Sequence, residues 1–292
     1  MLFKLFETFS NYVYTYMQLE DKFSDIKVSC CLKGIIPLIG FTIWLYYTKN
    51  LFQCLCVMSL LYFVIIVFYD IRKIKDKFPR VVIIKGNFLI LKECFPIMLA
   101  SLIAPFMLFL TRHTVEKVFG TTELGFYSAF TMVIVVFSTM AGAVYLVLIP
   151  SISEKYNKRL KNDIIRIIFI ILGINILFAL IVLFLVCLIG DFIFSFVFGA
   201  EILNYMYLLP PVIFTSIMFT LMSFSSVCLT AMQKGFPMLI GLLAGAAFLS
   251  IFIMPATRSY GMLGTTNTFT ISLCVIILIH GFVIFRKLCS LA

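Results

Sequence analysis

Four ionisable side chains lie close together in this sequence, beside a long apolar stretch: Arg112, His113, Glu116 and Lys117. The planar guanidinium of arginine can bind two oxygens of a phosphate or carboxylate at once. Arg112 and Glu116 are four residues apart, so on a helix they share a face and can form an ion pair. Two interpretations stay open: the basic side chains bind an anionic substrate, or Arg112 only extends to a membrane border and pairs with Glu116.

Three further positions within apolar stretches carry special chemistry. His280 titrates near neutral pH and is a candidate proton relay, although a lone polar side chain among apolar helices also forms interhelical hydrogen bonds. Pro105 removes a backbone hydrogen bond and predicts a helix bend beside a cavity. Gly241 and Gly245 form a G-x-x-x-G pattern, which favours close helix packing.

Long apolar stretches contain or flank these residues. Of the 292 residues, 63% are hydrophobic and only 12% are charged, a composition typical of membrane proteins. A helix needs about 20 mostly apolar residues to cross a bilayer. Eight stretches meet this requirement, namely 28–47, 51–69, 94–110, 124–150, 164–190, 205–233, 236–256 and 260–285. The sequence therefore predicts an all-α membrane protein with about eight transmembrane helices.

The basic residues predict how these helices are oriented. Lysine and arginine are enriched in the cytoplasmic segments of membrane proteins. Nineteen of the 23 basic residues lie before or at the start of the first stretch, or in the segments that follow the second, fourth, sixth and eighth. The other side has only Lys49, Arg112, Lys117 and Arg258. Both termini are therefore predicted to be cytosolic.

Composition and motifs argue against several classes of function. The net charge of +10 is explained by contact with anionic membrane lipids, so no nucleic-acid partner is expected. The sequence contains no phosphate-binding loop, no H-E-x-x-H, no G-x-S-x-G and no C-x-x-C. We therefore expect no enzyme activity, no cofactor and no metal site. A transporter or channel is the simplest class that remains.

One segment carries a resemblance to a known family. Residues 111–120 read T-R-H-x-x-E-x-x-x-G and are followed by L-G-F-Y-S at 124–128. This pattern resembles the start of the second half of Wzx-type oligosaccharide flippases, which belong to the multidrug/oligosaccharidyl-lipid/polysaccharide exporter superfamily. The matching residues are Arg112, Glu116, Gly120, Leu124, Gly125, Tyr127 and Ser128, whereas Thr111, His113 and Val115 differ from the commoner pattern.

The resemblance implies a domain organisation. Family members have two six-helix halves, and this sequence would contain the last two helices of the first half and the complete second half. On this expectation the N-terminal four helices have no counterpart in the chain. Residues 1–27 would be a cytosolic connector or amphipathic segment, 28–69 two transmembrane helices, 70–92 a basic cytosolic loop, and 93–292 the six-helix half.

The resemblance also implies a function. The expected activity is translocation of a polyprenyl-diphosphate-linked oligosaccharide across the bacterial plasma membrane by alternating access, for surface polysaccharide (O-antigen) biosynthesis. Arg112, His113, Glu116 and Lys117 would bind this substrate. Expected partners are the lipid-linked oligosaccharide, membrane lipids and, as open candidates, other polysaccharide assembly proteins. Two alternatives stay open: an inactive remnant or accessory membrane subunit, and a multidrug or cation antiporter.

Overall fold

A computed structural model of the chain describes residues 2–19, 23–74 and 87–289. In these ranges the chain is almost entirely helical, as predicted. The helices are α1 (Leu2–Leu19), α2 (Phe23–Thr48), α3 (Leu51–Ile65), α4 (Ile71–Ile74), α5 (Asn87–Phe119), α6 (Thr121–Asn157), α7 (Lys161–Phe198), α8 (Leu209–Ala231) and α9 (Gly235–Cys289). A π-helical turn, Ile66–Asp70, joins α3 to α4, and a 3₁₀ segment, Ala200–Leu208, precedes α8.

Seven segments within the described ranges are long and apolar enough to cross a membrane. The last of them is α9, whose 55 residues are far more than one crossing needs. The backbone of α9 reverses at Gly261, which has φ 65° and ψ −150°. The two arms on either side of Gly261 therefore correspond to the last two predicted stretches. The prediction of an all-α membrane protein with about eight crossings is confirmed.

The chain divides into two compact units, Met1–Ile84 and Lys85–Ala292. In the first unit, α2 and α3 form an antiparallel hairpin that turns at Lys49 and Asn50. Lys49 adopts a left-handed conformation with φ 50°, and the Asn50 side chain caps α3 by accepting a hydrogen bond from the backbone N–H of Phe52. Helix α1, inside the predicted connector 1–27, packs against both α2 and α3.

The second unit is built from consecutive hairpins. Gly120, with φ 96°, joins α5 to α6, and left-handed residues lie in two later turns, Arg159 before α7 and Gln233 before α9. The apolar core lies among α5, α6, α8 and α9, and α8 is the most buried of the candidate spans. Helix α7 is the least buried and exposes aliphatic side chains such as Leu177 and Leu188. Such a surface is suited to contact with lipid.

Helix lengths differ from the prediction at the prolines. Helix α5 runs through Pro96 and Pro105 to Phe119, and α6 runs through Pro150, where the predicted stretch ended, to Asn157. The physical reason is that a proline removes one i→i−4 hydrogen bond while the neighbouring bonds still hold the helix. Of the predicted basic loop 70–92, residues 75–86 lie outside the described ranges.

Candidate functional site

Arg112 lies inside the candidate span that runs from Cys94 to Phe119. It precedes the end of α5 by seven residues, which corresponds to about 10 Å along the helix. The position is thus about two helical turns before the Gly120 turn, inside the candidate span. A charged side chain within a membrane span carries a cost in free energy and usually faces a partner or a cavity.

The guanidinium of Arg112 reaches towards α6. Its Nη2 donates a weak hydrogen bond to Thr131 Oγ1 at 3.4 Å, and Thr131 is itself buried. The Nε atom of Arg112 is buried too, yet no acceptor for it lies among the described residues. An unsatisfied buried donor costs about 1–3 kcal/mol, and more when it is charged. The group is therefore available to an anionic ligand that reaches it.

The other three residues of the predicted cluster lie on exposed surface. His113 and Glu116 are 3.9 Å apart (Nδ1 to Oε2) and about half exposed, and the His113 ring stacks on Phe109. Lys117 is exposed as well. The Arg112–Glu116 ion pair expected from the spacing is not formed in the described structure, because the arginine turns towards Thr131 instead. Arg112 is thus separated from the exposed group.

His280 is completely buried between α8 and the two arms of α9. Its Nε2 lies 3.0 Å from the carbonyl oxygen of Met238 and therefore carries a proton, since a carbonyl can only accept. Its Nδ1 lies 2.9 Å from Ser225 Oγ. Both ring nitrogens thus have interhelical partners, which fits the hydrogen-bonding interpretation. The proton relay stays a prediction, as does the cavity bend at Pro105, an exposed residue of α5.

A buried ion pair in the first unit was missed by the sequence reasoning. The ammonium group of Lys33, on α2, forms a salt bridge with Asp70 at the end of the π-helical turn, and both side chains are almost fully buried. Lys33 also donates hydrogen bonds to Ser10 and, at 3.0 Å, to Tyr14 Oη, both on α1. We refer to Ser10, Tyr14, Ser29, Lys33 and Asp70 as the lysine cluster.

The remaining hydrogen bonds of the lysine cluster connect two hydroxyl groups in a chain that ends at Asp70. Ser29 donates to Asp70 Oδ1 at 2.6 Å, so the Tyr14 hydroxyl, 2.8 Å from Ser29 Oγ, is the donor of that pair. Burial raises the pKa of Tyr14 to about 12, which keeps the phenol protonated for this role. Each ammonium proton of Lys33 and each carboxylate oxygen of Asp70 therefore has a hydrogen-bond partner.

In the sequence, Lys33 was considered only as one of the basic residues that predict how the helices are oriented in the membrane. The overlooked signal was the hairpin geometry of α2 and α3. Lys33 and Asp70 lie at similar distances along the chain from the Lys49–Asn50 turn, one before it and one after it. Opposite charges placed symmetrically about a tight turn between two apolar helices come close together in space, and burial then favours pairing.

An apolar cavity of about 490 Å³ lies between α7, α8 and α9. Its walls are mainly aliphatic and aromatic, with Lys161 at one end. Ser225, the partner of His280, also lines this cavity. An apolar cavity with one cation at its edge is suited to a lipid chain with an anionic head group.

The helical hairpins define a polytopic membrane protein, and its fold is that of MATE transporters. Over 96% of the chain it is similar to a single-residue mutant of the Vibrio cholerae MATE transporter VcmN, with a TM-score of 0.71 and 13% sequence identity. A bent form of VcmN gives a TM-score of 0.66 over 90% of the chain. An outward-facing multidrug resistance MATE transporter of the MOP superfamily gives a TM-score of 0.69, also over 90% of the chain.

These comparisons concern the fold alone, because the sequence identities are only 13%. The chain spans 62–65% of the length of the three structures. No protein-family model matches the sequence, and no curated protein does. The fold agrees with the sequence resemblance, whereas the choice of substrate rests on other arguments.

Proposed function

We propose that this chain acts in a membrane transporter that moves a polyprenyl-diphosphate-linked oligosaccharide to the outer leaflet of a bacterial plasma membrane. The observation that carries the proposal is the buried Nε of Arg112, which lacks a partner within the described residues. A diphosphate oxygen is the kind of acceptor that this donor lacks. Transport would occur by alternating access, in which helix bundles rock around a fixed binding site.

The charge of the site favours an anionic cargo. Among the described residues Arg112 has no carboxylate partner, and its guanidinium donates a hydrogen bond to a neutral hydroxyl. A cationic drug brought close to this guanidinium would be repelled, whereas a diphosphate would be attracted. His113 and Lys117, on the exposed side, would meet acidic groups of the sugar, with Glu116 as a neighbour that orients His113.

The cavity beside Lys161 supports a lipid-linked cargo in particular. Its volume of about 490 Å³ and its apolar walls could hold part of a polyprenyl chain. Lys161 is predicted to lie on the cytosolic side, where such a substrate is loaded. A soluble sugar would gain nothing from this surface, since apolar burial stabilises only apolar groups.

Two other functions are kept as alternatives. Drug or cation antiport is the activity suggested by the multidrug resistance transporter that shares the fold. An accessory or inactive membrane subunit, whose helices only pack with a partner, is the other. The three proposals differ in what crosses the membrane, so a transport assay separates them.

The test is complementation of a bacterial strain that lacks its own oligosaccharide flippase. We expect the wild-type chain to restore outer-leaflet glycan and Arg112→Ala to reduce it about tenfold or more, because a charged hydrogen bond contributes roughly 1.5–3 kcal/mol. Arg112→Lys keeps the charge but loses the planar fork, so its activity should be intermediate. Arg258→Ala is the matched control, since Arg258 is exposed and predicted to lie on the same membrane side.

The outcomes of this assay are distinct. Glycan export by Arg112→Ala at the wild-type level, with equal protein in the membrane, would exclude Arg112 as the anion-binding residue. Drug resistance without glycan export would support the antiporter. Neither activity from the wild-type chain would support the accessory or inactive subunit.

A further inference from the structure

The lysine cluster has the composition of a cation-binding cage. Oxygen atoms of Ser10, Tyr14 and Asp70 surround the ammonium nitrogen of Lys33. The ring faces of Tyr14 and Tyr62 lie 4.5 and 5.4 Å from the same nitrogen, so cation–π attraction adds to the hydrogen bonds. Three oxygens and two aromatic faces thus converge on one positive charge.

Three parts of the first unit contribute to the cage. Ser10 and Tyr14 come from α1, Lys33 from α2, and Asp70 from the π-helical turn after α3. Such π-helical turns occur frequently at functional sites, because the extra residue shifts side chains out of the regular register. Here the turn ends on the carboxylate that neutralises the cation.

A buried ion pair is not the simplest means of holding two helices together. Two buried charges rarely stabilise a protein more than apolar side chains of the same size would. An apolar pair would hold α2 to α3 without the desolvation cost. The hydroxyl groups of α1 and Ser29 compensate the cation and its carboxylate, as any buried charges require, and with the two tyrosine rings they complete a shell around the ammonium group.

We propose that this cage is a monovalent cation site whose cation is supplied by Lys33 itself. The ammonium group occupies the position at which a free sodium ion or a small primary ammonium ion would otherwise bind between Asp70, Ser10 and Tyr14. Because the cation is covalently attached, the wild-type site does not exchange ions with the solution. The proposal depends only on the first unit and is independent of the transported cargo.

Removal of the attached cation should create a site for a free one. Lys33→Ala deletes three carbons and the ammonium group, a fragment equivalent to the propylammonium ion. The purified variant is compared with the wild-type protein by thermal unfolding in detergent. Each protein is measured in three salts at equal ionic strength: sodium chloride, propylammonium chloride and the chloride of the bulky N-methylglucamine cation.

We expect the unfolding midpoint of the wild-type protein to be the same in all three salts. For Lys33→Ala, the midpoint should be lowest with N-methylglucamine and should rise saturably, by about 5 °C, with sodium or propylammonium. The double variant Lys33→Ala/Asp70→Asn should lose this response, because the neutral amide no longer requires a cation. Lys73→Ala is the control for loss of an exposed lysine, since Lys73 contacts Asp25 at the surface.

Several results would overturn the proposal. One is an unfolding midpoint of Lys33→Ala that is equal in all three salts. Another is a response in the double variant as large as in the single one. Lys33→Ser, whose hydroxyl adds an oxygen to the cage, is measured in the same way if the alanine variant does not fold. If neither variant folds in sodium or propylammonium, a free cation does not replace Lys33 and the proposal is wrong.

Discussion

At the scale of single residues, two cations in the candidate membrane spans, Lys33 and Arg112, show opposite arrangements. Lys33 has a partner for every N–H group, including a carboxylate that balances its charge. Arg112 has one weak contact to a hydroxyl and a buried Nε without an acceptor in the described part of the chain. The first arrangement is complete without any ligand. The second leaves a donor without an acceptor, and this contrast is why we propose Arg112 as the substrate-binding residue.

His280 provides a second prediction at this scale. We expect His280→Ala to lower the free energy of unfolding by about 2–3 kcal/mol, through loss of two interhelical hydrogen bonds and creation of a cavity. The pH dependence of transport should not change, because both nitrogens serve packing. Thermal unfolding and a pH profile of transport measure the two effects. A pH profile that flattens in the variant would instead identify His280 as a proton relay.

The sequence predicted some of these residue-level features but not others. Composition and spacing are local, so they located His280 inside an apolar stretch and Arg112 beside one. The spacing predicted that Arg112 pairs with Glu116. The long arginine side chain instead extends towards α6, and its guanidinium contacts Thr131 there. The lysine cluster joins residues up to 60 positions apart, from Ser10 to Asp70, and only the packed hairpin brings them together.

At the scale of elements, the hairpin of α9 depends on two glycines with different roles. Gly245 allows the two arms to approach closely, because a Cβ atom there would lie 2.3 Å from a side-chain carbon of Ile276 and 2.9 Å from the backbone oxygen of Ser272. Gly261 adopts a backbone conformation almost restricted to glycine where the chain reverses. The packing predicted from the G-x-x-x-G pattern is thus confirmed.

Substitution of Gly245 tests this close approach. Gly245→Ala should destabilise the protein by about 1–3 kcal/mol, because the added methyl group forces the arms apart. Gly281→Ala is the matched control in the same hairpin: a Cβ atom there meets nothing within 4 Å, and alanine favours helix more than glycine does. Thermal unfolding in detergent measures both. Equal stability of the two variants would show that the arms do not touch at Gly245.

Substitution of Gly261 tests the reversal itself. Gly261→Ala should lower the free energy of unfolding by about 1–3 kcal/mol, since alanine is strained at φ 65° although nothing crowds its side chain. The measurement is again a comparison of unfolding midpoints with Gly281→Ala. A variant as stable as the control would indicate that the two arms form one straight helix, which would remove one membrane crossing.

The approximate number of membrane crossings was predicted correctly, but the ends of the helices were not. An apolar stretch shows where hydrocarbon ends, whereas a helix continues for as long as its backbone bonds continue. Helix α5 therefore extends nine residues past the predicted end at 110, and α6 passes through Pro150 to Asn157. The reversal in α9 was predicted as the short gap between the apolar stretches 236–256 and 260–285.

At the scale of the whole molecule, the hairpins and the charge distribution predict a specific topology. Lys49 should be extracellular or periplasmic, and Lys158, in the turn between α6 and α7, should be cytosolic. In a background without native cysteines, Lys49→Cys should react with a membrane-impermeant thiol reagent in intact cells, and Lys158→Cys only after the cells are broken. Labelling of Lys158→Cys in intact cells would show that the orientation is the inverse of the predicted one. It would thereby exclude the proposed direction of transport.

The central claim is that the protein carries an anionic, lipid-linked cargo by means of Arg112. Its most direct test uses the purified protein in lipid vesicles with a fluorescent short-chain polyprenyl-diphosphate sugar in both leaflets. The fraction that becomes accessible to an impermeant quencher is then followed over time. We predict rapid translocation by the wild-type protein and by Arg258→Ala, and a rate at least about tenfold lower for Arg112→Ala. Translocation no faster than in protein-free vesicles, or equal rates for Arg112→Ala and the wild-type protein, would contradict the account.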